Sequence, residues 1–173
     1  GLRAGDTASV FMENRIEFLA MVIALNKLGV TAALINTNLA GKPLAHCISV
    51  TKSKKCIVGE ERSEPLSGVK GELDLKDGQD FLFVRDRGQS SSPNWAIDVS
   101  ELAESQETSN PTDTEERTLG ETALYIFTSG TTGLPKAAIM SNRRYMSSAA
   151  LSAVAGLKCT PDDTLYLCLP LYH

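Results

Sequence analysis

The run Thr128-Ser129-Gly130-Thr131-Thr132-Gly133-Leu134-Pro135-Lys136 sets four hydroxyls, two glycines and one lysine within nine residues. Glycine permits positive φ and close backbone approach, so successive N–H groups can converge on an anion. The hydroxyls add short donors, and Lys136 adds a positive charge. Charge-assisted hydrogen bonds contribute about 1.5–3 kcal/mol each, so several together can hold a triphosphate against its own hydration. The spacing is not that of a Walker A loop. Lys136 follows Gly133 across Leu134-Pro135, has no Ser or Thr after it, and opens a strand instead of a helix. A hydrophilic hairpin turn is the competing reading of any Gly/Ser/Thr run; the ordered string closing on a lysine favours phosphate.

Other reactive side chains are sparse. His46 and His173 are the two histidines, and the four cysteines, Cys47, Cys56, Cys159 and Cys168, fall nine apart within each pair. Neither a zinc knuckle nor a disulfide framework has that spacing, so the cysteines read as reduced core or near-core thiols and no metal site is assigned. Arg143 and Arg144 read as an exposed helix face, Glu13-Asn14-Arg15 as a strand-end turn, and Tyr172 as a packing residue.

The elements that must position the loop follow from periodicity. Residues 7–12 and 30–35 read as buried strands, with an intervening helix at 17–28 that Gly29 ends. A second helix over 43–53 carries Pro at its first turn, and 55–58 is a third strand. This alternation predicts an α/β fold, a parallel-rich sheet flanked by helices. Phe81-Leu82-Phe83-Val84 is a further strand, whereas 88–118 is rich in Ser, Glu, Thr, Pro and Asn and reads as a mobile loop. Residues 122–127 form an apolar strand entering the loop, and 137–140 a short strand leaving it. Ser141 or Asn142 then caps a helix to about Ala155, and 164–169 is a last strand.

The formal charge of −4, with no dense basic stripe, argues against nucleic acid as a partner. No run of about 18 apolar residues and no signal-peptide pattern is present, which points to an intracellular protein. The chain opens on Gly1 and stops at Leu169-Pro170-Leu171-Tyr172-His173, so it reads as a fragment.

The string Tyr125-Ile126-Phe127-Thr128-Ser129-Gly130-Thr131-Thr132-Gly133-Leu134-Pro135-Lys136 resembles the signature loop of the adenylate-forming (AMP-binding) superfamily. Leu169-Pro170-Leu171-Tyr172-His173 is similar to its next motif, in order and at a fitting distance. Within that superfamily, Phe11-Met12-Glu13-Asn14-Arg15, Lys27-Leu28-Gly29-Val30, Ala32 to Leu39, His46-Cys47 and Ala137-Ala138 resemble the very-long-chain acyl-CoA synthetase and fatty acid transport protein family. Ala40-Gly41 stands where that family has a basic pair. The resemblance covers residues 1–59 and 121–173.

It implies that 1–173 is part of the large N-terminal domain of a fatty acid–CoA ligase. In such an enzyme a fatty carboxylate attacks the α-phosphorus of ATP to give acyl-AMP and pyrophosphate, and coenzyme A then takes the acyl group. Because carboxylate and triphosphate repel, the first step calls for Mg²⁺ and preorganised donors on the leaving pyrophosphate. By the same resemblance Tyr125 through Lys136 bind the nucleotide, with Thr131 and Lys136 catalytic, and His173 lines the wall between adenylate and acyl chain. The parent would be membrane-associated, at the endoplasmic reticulum, peroxisome or plasma membrane, and linked to fatty-acid uptake; the fragment alone would be inactive. Another acid–CoA ligase, aryl or medium-chain, and an inactive truncated product stay open as alternatives.

Overall fold

Thr7–Phe11 (β1) and Thr31–Leu34 (β2) are buried at every position, as parallel strands covered on both faces must be. The computed structural model, which describes residues 1–86, 91–128 and 133–173, sets them at the centre of a sheet. Lys55–Gly59 (β3), Phe81–Val84 (β4), Ile97–Asp98 (β5), Thr122–Thr128 (β6) and Lys136–Ser141 (β7) complete it in the order β5-β4-β3-β1-β2-β6-β7. Neighbours pair in parallel throughout except β6 and β7, which are antiparallel. The expected α/β fold with a parallel-rich sheet is the one observed.

The chain steps from β1 to β2 through Ile16–Lys27 (α1), then crosses back to β3 through Gly41–Val50 (α2), with Ser63–Ser67 (α3) following β3. Because such crossovers are right-handed, opposite directions of travel put the two helices on opposite faces. Phe18, Val22 and Leu25 of α1 accordingly pack with Val10, Ala32 and Leu34. Leu44, Ala45, Cys47 and Ile48 of α2 pack instead with Phe11, Ile35 and Phe81. Gly29 closes α1 at φ +71, a left-handed backbone in which a side chain is strained. The Ser141 hydroxyl accepts from the Arg144 N–H at 3.3 Å and starts Asn142–Ala150 (α5), as the capping pattern predicted.

Four expectations are corrected. Residues 164–169 form no strand: Leu165, Tyr166, Leu167 and Leu169 are largely exposed. A strand exists only through its partner, and no described strand lies alongside them. The second helix begins at Gly41 and ends at Val50, short of 53, where Thr51 caps its end by bonding the Cys47 and Ile48 carbonyls. Of the 88–118 stretch, residues 88–90 lie outside the described residues, and 91–118 include β5, the short helix Val99–Ala103 (α4) and a 3₁₀ turn, Thr112–Glu116. Of the thiols, Cys47 and Cys56 are buried, Cys159 is half-buried and Cys168 is exposed. Burial pushes Cys47 up to about 11 and Cys56 up to about 12, which leaves both inert as nucleophiles at neutral pH.

Three aspartates tie strand ends to their neighbours. The Lys54 ammonium, then the Arg3 N–H, holds the Asp6 carboxyl below its usual range, and Lys55 does the same for Asp80. Burial opposes ionisation of Asp98, but the Arg85 guanidinium and the Ser100 N–H outweigh it and its carboxyl also sits low. A lowered native value means the unfolded chain binds more protons across that range. The stabilisation is therefore present above the unfolded value of about 3.9 and is lost as pH falls through the native values. Asp98→Asn is expected to lower the urea midpoint at neutral pH and to flatten its decline below about pH 4. An unchanged acid limb would show that Asp98 does not carry this dependence.

Candidate functional site

In a sheet of this kind, ligands sit outside the carboxyl ends of the parallel strands, where the direction of winding reverses. One reversal lies between β1 and β3. There the turn after β1 meets the turn after β3. Arg15 Nη1 donates to Glu61 Oε2 at 2.8 Å and Nη2 to the Val84 carbonyl at 3.0 Å. The Glu13 N–H donates to Glu61 Oε1 at 2.8 Å, and Arg62 pairs with the Glu13 carboxylate. Burial pushes the Glu61 carboxyl up against the pull of Arg15. Ion pairs thus fill this junction, and the structural role expected for Glu13 and Arg15 is the one found.

The other reversal lies between β2 and β6, where the described ends of the predicted loop meet. Strand β6 delivers Thr128 to the carboxyl edge, and Lys136 opens β7 opposite it, as Cα partners across the hairpin. Both side chains are exposed. Phe127 is buried among the α2-side core, with Tyr125 packed against it, while Ile126 packs on the α1 side. Those three supply the strand that aims the loop. Ser129, Gly130, Thr131 and Thr132 lie outside the described residues. Gly133 returns the chain at φ +135, a conformation that favours glycine, and Leu134 is half-exposed at 47%.

Two features of this edge escaped sequence reading. His46 Nε2 on α2 lies 3.1 Å from the Pro135 carbonyl. A carbonyl only accepts, so Nε2 carries the hydrogen, and α2 thereby holds the stem of the loop one residue before Lys136. No local signal marks this, because the partners are 89 residues apart. After β2, the Asn38 N–H closes an Asx turn on Asn36 Oδ1 at 2.9 Å, and Asn38 Nδ2 donates to the Tyr172 hydroxyl at 3.2 Å. Polar residues directly after a buried strand are the signal that points to this turn.

Tyr172 is buried on the α1 side, as expected, and His173 beside it is exposed. The 169–173 segment thus comes to the carboxyl ends of β1 and β2. Arg143 and Arg144 are exposed on α5. A cavity of about 550 Å³ lies at the amino ends of β1 and β3, at the opposite edge. Its Lys54 and Lys55 are paired with Asp6 and Asp80, so those two charges are already satisfied.

A family model described as AMP-binding enzyme matches residues 1–173. The chain belongs to this AMP-binding enzyme family. The match includes residues 60–120, beyond the two stretches on which the resemblance was read. Over the whole chain this family member is 38% identical to long-chain fatty acid transport protein 1 of Rattus norvegicus, covering 26% of that protein. It is 32% identical to the medium/long-chain-fatty-acid–CoA ligase FadD6 of Mycobacterium tuberculosis, covering 27% of it. Among solved structures, the inhibitor-bound N-terminal domain of FACL13 from Mycobacterium tuberculosis superposes with a TM-score of 0.74 at 27% identity, covering 100% of this chain and 40% of that one. The AMP-binding chain therefore spans about a quarter of the length of its curated relatives.

Proposed function

We propose that the protein carrying this chain is an ATP-dependent ligase that converts long or very long fatty acids to acyl-AMP and then to acyl-CoA, trapping them on uptake at a membrane. The observation that carries this reading is similarity, over the whole of this chain, to about a quarter of a fatty acid transport protein and of a fatty acid–CoA ligase, on a chain whose loop chemistry suits a triphosphate.

In this reading Thr128 through Lys136 cradle the phosphates. Lys136 and Thr131 stabilise charge as it develops on the leaving pyrophosphate. Lys136 is well placed for that task, since a strand partner and the His46-bound Pro135 carbonyl both fix its backbone. His173 lines the boundary between adenylate and acyl chain. Mg²⁺ would accompany ATP; among the described residues no three His, Cys, Asp or Glu side chains gather to hold a metal, so no step here runs through it. Coenzyme A is the substrate that enters in the second step, and no described residue is assigned to it. No described helix is long and apolar enough to cross a membrane, and association of the parent with one remains part of the proposal.

Fatty-acid-dependent exchange of pyrophosphate into ATP, measured on the full-length protein across medium, long and very long acids, tests the reading. Exchange driven by long acids is the expected result. Exchange driven by aryl acids alone would reassign the substrate, and none with any acid would remove the ligase function.

A further inference from the structure

One side chain joins the start of the chain to its last motif. Asn14 stands in the turn after β1. Its Nδ2–H donates to the Leu169 carbonyl at 2.7 Å, and its Oδ1 accepts from the Leu171 N–H at 2.7 Å. These groups flank Pro170. In a parallel ladder, the N–H of one residue donates to the residue before its partner and its carbonyl accepts from the residue after it. The Asn14 amide reproduces that pattern with Pro170 as the partner. Proline suits the position, because the N–H it lacks would point away from the bridge. The main chain then turns at once, His173 N–H to Pro170 carbonyl at 3.3 Å, with Tyr172 buried and bonded by Asn38.

From this geometry we infer that Asn14 is a positioning residue for His173, setting the acid-side wall of the site without touching substrate. The inference rests on the proposed function for its catalytic consequence and on the hydrogen bonds alone for its structural one. Residues 164–169 form no strand, so the pair of bonds to Leu169 and Leu171 sets where the segment arrives, ahead of the buried Tyr172 and its bond from Asn38. Asn14 is exposed on its other side and lies outside both apolar cores, so its replacement leaves the sheet intact.

Two measurements on the full-length protein decide it. In the first, deuterium uptake is followed by peptide in wild type, Asn14→Ala and the isosteric Asn14→Asp, which keeps the acceptor but loses the donor. Both variants are expected to exchange faster over 164–173 while β1 and α1 keep wild-type uptake. Unchanged uptake over 164–173 overturns the inference, and this arm is readable even if the protein activates no acid. In the second, exchange of pyrophosphate is measured against acid at saturating ATP, and against ATP at saturating acid, for Asn14→Ala, His173→Ala and the double variant. Each single change is expected to raise the acid concentration for half-maximal rate about tenfold, with the ATP dependence within about twofold. The double variant should match His173→Ala, because residues acting through one another are non-additive. Additive losses, or an equal loss in the ATP dependence, overturn it.

Discussion

Replacing Lys136 by alanine in the full-length protein is expected to cut fatty-acid-dependent ATP–pyrophosphate exchange by tenfold or more, a barrier increase of at least ~1.4 kcal/mol. The expectation combines chemistry with placement. The reaction builds negative charge on the leaving pyrophosphate, and a fixed cation is worth most where charge develops. Lys136 is the first residue of β7, with the Thr128 backbone as its strand partner on one side and the His46-anchored Pro135 on the other. Its backbone is therefore set before substrate arrives. Because the side chain is exposed and in neither core, the variant should unfold at the wild-type denaturant concentration. Full exchange in Lys136→Ala would remove the lysine from the mechanism, and a parallel loss of stability would assign it a structural role instead.

The largest stability effect is expected at Phe81. Its ring is fully buried at the start of β4 and meets Trp95 edge-on, with centroids 5.3 Å apart and planes at 87°. Lys70 Nζ lies 5.9 Å above the other partner, the Trp95 ring. Truncation to alanine loses the transfer free energy of the ring, the edge-to-face contact and the packing around the void. Together these amount to about 3–5 kcal/mol. Domains are commonly stable by only about 5–15 kcal/mol, so Phe81→Ala should shift the urea midpoint far down at unchanged slope. Phe81 pairs with Cys56 on β3, and the damage should spread through β3 toward the Glu61 turn. A loss below about 1 kcal/mol would mean that the site collapses around the smaller side chain.

Local pattern was enough for the strands and helices that bury themselves. The runs at 7–11, 31–34 and 81–84 are short, apolar or small, and surrounded by turn residues, and each forms a strand. The helix of Phe18, Val22 and Leu25 shows its period because one face alone is buried. Pattern failed at 164–169, where apolar residues promised a strand and no described partner supplies the ladder. It failed differently in 88–118, whose short elements gain their stability from tertiary contacts. The Arg85 guanidinium on Asp98 is one such contact, 13 residues removed in sequence.

The proposed role of the loop from Thr128 to Lys136 rests on local chemistry: hydroxyls, glycines and a cation must be adjacent to converge on one anion. The family was legible in the sequence, since its motifs are contiguous strings. Tertiary structure alone decided what stands around them. The crossing of β1, β2 and β3 chose which strand junction faces the loop and which is filled by Arg15, Glu61 and their partners. Hydrogen bonds between His46 and Pro135 and between Asn14 and both Leu169 and Leu171 join residues 89, 155 and 157 positions apart. Polar side chains of this kind carry no periodicity that would reveal a partner, and only the folded sheet brings the two ends of each bond together.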